Sequence, residues 1–110
     1  MFRKLISLEE LEAVIASSSE RPVAIFKHSN SCPISFGVRD ALSDCTETLH
    51  EIVVQTERDL SNRVAELSGI NHESPQALVL FDGKVLYSAS HYDISGAEIE
   101  NAIGSSGVNR

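Results

Sequence analysis

Two cysteines, four histidines and a cluster of serines supply most of the chemistry available to this sequence. They concentrate in "FKHSNSCPISF", Phe26 to Phe36, where Cys32 is followed at once by Pro33 and Ser35 holds the next position a second thiol would use. Proline suits the first position of a helix, because its missing N–H would have no intrahelical partner there. Cys32 is thereby expected at a strand-to-helix junction, where free N–H groups and the positive end of the helix dipole favour thiolate over thiol. Pro33 shapes that turn. Ser35, one turn on, offers an N–H and a hydroxyl to the sulfur, and Lys27 adds positive charge close in sequence.

A thiolate-prone sulfur attacks disulfides and also leaves readily from a mixed disulfide. Cys32 therefore suits accepting a thiol cargo and releasing it. Cys45 lies thirteen residues further along the expected helix, roughly 20 Å away at the rise of an α-helix. A disulfide needs Cα atoms within about 7 Å. Cys45 reads as a small core hydrophobe, and an external thiol must finish the reaction.

Other chemistries fit less well. A phosphatase-type Cys-x₅-Arg loop would need arginine at Val38, and Arg39 comes one residue late. His28, His50, His72, His91 and the two cysteines match no zinc spacing, so no metal is expected. His28 ends the apolar run leading into the Cys32 loop, while His72 and His91 fall in loops. All three are candidate substrate contacts, with a solvated or backbone-bonded histidine as the plain alternative. Glu9, Glu10 and Glu98 sit at helix starts, where they serve capping and the dipole rather than acid–base catalysis. Pro75, in "NHESPQALVL", directly precedes an expected strand, with Ser74 before it.

The elements that must position these residues follow from patterning. With 110 residues and 42% hydrophobic content, the chain suits one domain over 1–110 with one modest core. A net charge of −7 argues against nucleic acid or an anionic membrane as the main partner. No apolar run approaches the ~20 residues of a membrane span, and "MFRKLISLEELEAVI" carries acids where a signal peptide stays apolar, so a cytoplasmic location is expected.

"FRKLI" reads as a short strand. Ser7 and Glu10 have capping-box spacing ahead of Leu8, Leu11, Val14 and Ile15 on one helix face. "VAIFKH" (23–28) and "EIVVQT" (51–56) read as buried strands. Ile34, Val38, Ala41, Leu42 and Cys45 make an inward stripe on the helix after Cys32. Leu60, Val64 and Leu67 mark the next helix, which Gly69 ends in a left-handed conformation. Asp82-Gly83 joins "ALVLF" and "KVLYSA" in a hairpin. Ser95 and Glu98 cap a last helix carrying Ile99 and Ile103, and 104–110 is expected to fray. Strands alternating with helices imply right-handed parallel crossovers and an α/β domain, its central mixed sheet covered on both faces. This is the element order of a thioredoxin-like fold with an N-terminal βα extension.

"FKHSNSCPIS", "HESPQ" and "SHYDIS" together resemble the YtxJ-type monothiol bacilliredoxins over nearly the whole chain. The resemblance implies a cytosolic thiol–disulfide oxidoreductase that removes bacillithiol, a low-molecular-weight thiol, from S-thiolated client proteins. It implies no permanently bound cofactor, with bacillithiol as co-substrate. Cys32 would be the attacking thiol, Pro33 to Ser35 its supporting turn, and Ser74-Pro75 the facing loop. In thioredoxin-like domains that proline is cis, and the backbone before it pairs with substrate. The chain departs from the family at Asn30-Ser31, where threonine is common near the cysteine. The alternatives are a glutaredoxin-like deglutathionylase and a non-catalytic binding module of the same fold. Glutaredoxins usually carry a Gly-Gly turn before the last helix, where this chain has "SASHYDIS".

Overall fold

In the computed structural model, which describes residues 1–104, the chain runs β1 (Phe2–Lys4), α1 (Leu8–Ser17), β2 (Val23–His28), α2 (Pro33–Ala41), β3 (Leu49–Val53), α3 (Arg58–Ser68), β4 (Gln76–Phe81), β5 (Lys84–Ser90) and α4 (Gly96–Gly104). The strands form one sheet in the order β1-β3-β2-β4-β5. β1, β3 and β2 are mutually parallel, and β4 and β5 are antiparallel additions. This is the mixed α/β sheet expected from the alternation of elements.

β2 is central and buried along its whole length. Its residues alternate between two cores, as a pleated strand requires. Ala24 and Phe26 join Val38, Leu42, Cys45, Ile99 and Ile103 under α2 and α4. Val23 and Ile25 join Leu11, Leu60 and Val64 under α1 and α3. Lys27 and His28 continue that alternation, so these neighbours leave the strand on opposite faces.

Local signals act as their chemistry requires. Ser7 Oγ accepts the Glu10 N–H at 3.1 Å, and Glu10 reaches back to the Ile6 N–H at 2.8 Å. Ser95 Oγ accepts the Glu98 N–H at 3.2 Å. Gly69 ends α3 with φ +73°, a left-handed conformation glycine adopts without a Cβ penalty. Asp82 and Gly83 both have positive φ, as a two-residue hairpin turn with the strands' own twist demands.

Four expectations are corrected. β3 spans Leu49–Val53 rather than 51–56: Thr48 and His50 interrupt the apolar run, but pairing with Phe2 and Ala24 starts the strand at Leu49. α2 stops at Ala41 and a 3-10 turn covers Leu42–Asp44, so Cys45 is not on the helix of Cys32. Leu8 and Ala41, placed on inward stripes by their spacing, are exposed. Gly104 closes α4 instead of fraying, and the rest of the expected frayed tail, 105–110, lies outside the described residues.

Candidate active site

The loop from β2 to α2 is built almost entirely from hydrogen-bonding residues. His28 and Ser29 are buried, the chain turns at Asn30-Ser31, and Cys32 is the N-cap of α2. Its backbone is extended (φ −112°, ψ 117°), its side chain makes no capping bond, and Pro33 follows in the first turn. The Cys32 carbonyl accepts the Ser35 and Phe36 N–H groups at 3.0 and 3.3 Å, which fixes the start of the helix. The thiol is half-buried and unbridged. Nothing acidic stands in the first turn of α2 to oppose the helix dipole.

Ser35 is fully buried, and its position corrects the expected role. Its hydroxyl accepts the Ser29 N–H at 2.9 Å and lies 2.7 Å from His28 Nδ1. Its N–H goes to the Cys32 carbonyl rather than to sulfur. Ser35 therefore supports the reactive residue by holding the loop together. Its oxygen is occupied from below because a buried Ser29 N–H and a buried imidazole would otherwise lack partners.

His28 is stacked on Phe26 at 6.0 Å and meets the edge of Phe36 at 4.8 Å. Burial lowers its pKa, with Glu51 acting against that shift and Arg39 adding to it. It borders a cleft of about 300 Å³ that also includes Asn30, Phe36, Arg39 and Glu51. Arg39 forms a two-pronged pair with buried Glu51, Nε to Oε2 at 2.5 Å and Nη2 to Oε1 at 3.2 Å. The same guanidinium lies 4.1 Å from the centre of the Phe2 ring.

Lys27 corrects a second expectation. Its side chain is fully buried on the α3 side, where Nζ donates to the Ser61 carbonyl at 3.0 Å and lies 3.3 Å from His72 Nδ1. Its charge is held there rather than on the Cys32 sulfur. Burial pushes its pKa down to about 8. Burial also lowers His72, with Lys27 and Arg58 adding to the effect and Glu73 opposing it. Ser61 Oγ, 2.9 Å from His72 Nδ1, completes the cluster.

The loop on the opposite side carries Ser74 and buried Pro75, joined by a cis peptide bond. Because Lys27 pairs with Gln76 across the sheet, Pro75 sits level with the end of β2, where the Cys32 loop begins. Ser74 and Ser29 line the same small pocket. His91 has a left-handed backbone (φ +56°) and donates its N–H to the Pro75 carbonyl at 2.9 Å. Its exposed ring faces Glu73 at 3.6 Å. The three candidate histidines thus occupy three different settings: His28 below the loop, His72 beside the Lys27 ammonium, and His91 against Glu73.

Gln55 was not singled out by the sequence. Its amide oxygen accepts the Asn30 N–H at 3.0 Å, and its nitrogen donates to Ser29 Oγ at 2.7 Å and Ser31 Oγ at 3.0 Å. One side chain after β3 thereby ties down three consecutive residues before Cys32. A lone glutamine after a strand carries no local signal of such a role. Arg39–Glu51 is equally silent in sequence, since only the packing of α2 on β3 creates it. Cys45, by contrast, sits in the α2/α4 core as expected, where burial raises its pKa.

A partly exposed thiol at a helix start, beside a cis-proline loop and with no second thiol one turn on, is an arrangement for thiol–disulfide exchange. The family model of the monothiol bacilliredoxin BrxC matches residues 3–99. The chain belongs to the monothiol bacilliredoxin family. A solved structure described as a candidate oxidoreductase with a thioredoxin fold is 32% identical to this bacilliredoxin, covers 92% of each chain and superposes with a TM-score of 0.81. The fold extends further. Thioredoxin from Schistosoma mansoni, 11% identical, covers 94% of this chain and 96% of its own with a TM-score of 0.72. Thioredoxin from Malassezia sympodialis, 12% identical, covers 96% and 90% with a TM-score of 0.71. Among the described residues no helix is long and apolar enough to cross a membrane. No three histidine, cysteine or acidic side chains there form a metal-ligand set.

Proposed function

We propose that this bacilliredoxin removes bacillithiol from S-thiolated client proteins in the cytosol, by a mixed disulfide on Cys32. The thiolate of Cys32 attacks the small-thiol sulfur of the client's disulfide. The client–sulfur bond breaks, the client leaves as a thiolate, and the cargo is now bonded to Cys32. The thiolate of a second small thiol then attacks the cargo sulfur, giving a small symmetrical disulfide and free Cys32. No outside electron carrier is needed within this cycle, because each step exchanges one disulfide for another.

The observation that carries this reading is the pairing of half-buried Cys32 at the α2 N-cap with fully buried Ser35 one turn on. Serine keeps the loop bonds but forms no disulfide, so the cargo waits for an external thiol. Ser74 and Pro75 supply the facing backbone edge for the client, and the small thiol enters beside them. Cys32→Ser should abolish transfer from a bacillithiolated client, whereas Cys45→Ala should keep most of it, with intact-mass spectrometry following the Cys32 adduct. Loss of turnover in folded Cys45→Ala would sink the monothiol scheme. Offered the same client carrying bacillithiol or glutathione, the protein should release bacillithiol faster. Equal or reversed rates would move the assignment to a glutaredoxin-like activity.

A further inference from the structure

Beside the Cys32 loop, on the side away from His28, lies a pocket of about 180 Å³ whose walls include Ser29, Gln55, Arg58, Ser61, His72 and Ser74. Ser29 belongs to the Cys32 loop and Ser74 directly precedes Pro75, so the pocket opens between the two segments that frame the thiol. Val54 and Asn62 complete its lining, and no acidic side chain is among them. That is unusual for a chain with 16 acidic and 9 basic residues. Behind the wall sits a second cation: Ser61 and His72 are the two groups that hold the buried Lys27 ammonium. The Arg58 side chain makes no ion pair or hydrogen bond among the described residues, whereas Arg21, Arg39 and Arg63 are each paired with glutamate. Glu73, whose charge acts on His72, is turned to His91.

An exposed arginine edge above a buried ammonium, with hydroxyl and amide donors between them, is a setting for an anion's oxygens. Building on the mixed-disulfide reading above, we infer that this pocket takes the carboxylate end of the small thiol bonded to Cys32, with Arg58 as its direct partner and Lys27 as the buried charge behind it. The protein thereby prefers small thiols that carry carboxylates over neutral ones. Selection acts in the step where the Cys32 thiolate attacks a disulfide R–S–S–R. The S–S bond breaks, Cys32–S–S–R forms, and the other half leaves as R–S⁻.

Reduced protein is offered two probe disulfides, that of mercaptosuccinate, which bears carboxylates, and bis(2-hydroxyethyl) disulfide, which is neutral. The rate of adduct formation on Cys32 is followed by intact mass. In Arg58→Ala the ratio of the first rate to the second should fall about 10-fold from its wild-type value. Added salt should reduce the wild-type ratio in the same direction, because the arginine edge is solvent-facing. Lys84→Ala, the same charge change at the far end of the sheet beside the hairpin turn, should leave the ratio alone. If both probes react and Arg58→Ala keeps the wild-type ratio, or Lys84→Ala lowers it equally, the carboxylate pocket is overturned while thiol transfer stands. If neither probe forms an adduct on Cys32 in wild type, thiol transfer falls and the pocket falls with it.

Discussion

His28 and Lys27 are adjacent on β2, both buried, and each underlies one flank of the Cys32 loop, yet the two flanks are built on opposite principles. On the His28 side the buried charge is neutralised: Glu51 is locked to Arg39, and the imidazole is sandwiched by Phe26 and Phe36 and bonded to Ser35. On the Lys27 side the buried ammonium has only neutral partners, a carbonyl and an imidazole, and Arg58 above it has no carboxylate. A closed, neutralised flank holds geometry. An open flank with surplus positive charge holds affinity in reserve, at a cost in stability, since a buried charge without a counter-ion is expensive to desolvate. The loop is thus braced from one side and left receptive on the other.

The largest effect should come from Lys27 itself. Its folded-state pKa is lowered from 10.5 to about 8 by burial. Below pH 8 both folded and unfolded chains hold the proton, so the folded state bears the whole desolvation penalty. Between about 8 and 10.5 the folded chain releases the proton while the unfolded chain keeps it, so stability rises with pH through that window, by on the order of 3 kcal/mol at most. Urea unfolding at pH 7 and pH 9.5 should show this rise in wild type and a flatter profile in Lys27→Met. Parallel profiles would mean that the ammonium is better solvated than its burial indicates.

Next in size is Arg39→Ala, which strands the Glu51 carboxylate, only 6% exposed, on the braced flank. Because the guanidinium itself is 38% exposed, solvent offsets part of the loss, leaving about 2 kcal/mol. Ser35→Ala should cost about 1–2 kcal/mol, as the Ser29 N–H loses its acceptor and His28 its partner. Thermal or urea denaturation measures both. A Ser35→Ala variant as stable as wild type would show that the loop finds other bonds. Arg58→Ala, on the receptive flank, should stay within about 0.5 kcal/mol of wild type. A large loss there would make Arg58 a brace like Arg39 and erase the contrast between the flanks.

These flanks also mark where sequence reading succeeds and stops. Val23–His28 was legible as a buried strand because β-branched and aromatic side chains fill it, and Pro33 announced the helix that carries Cys32. Ser7, Gly69, Asp82-Gly83 and Ser95 were legible because caps and turns are decided by a few neighbouring residues. The partners of the site were not. Alternation along β2 sends Lys27 and His28 to opposite faces, but what waits on each face depends on how α2 and α3 pack. Ser35 was rightly placed one turn from Cys32, yet its hydroxyl answers to Ser29 and His28, whose needs arise only once the loop is buried. Gln55 clamps three loop residues across more than twenty positions of sequence, and no local pattern encodes that.

Ser35 has a consequence at the level of mass action. With no second sulfur beside Cys32, a bacilliredoxin of this kind stores no oxidised dithiol state of its own and imposes no reduction potential on its clients. In the proposed cycle the net exchange would convert a thiolated client and one small thiol into a free client and one small disulfide, and every step would be reversible. The ratio of free to thiolated client would therefore come to follow the ratio of small thiol to small disulfide in the surroundings. When the disulfide accumulates, the same Cys32 would run the proposed exchange backwards and place the small thiol onto exposed client cysteines. On the proposed cycle, the serine would make the protein an equilibrator whose direction is set by the thiol pool.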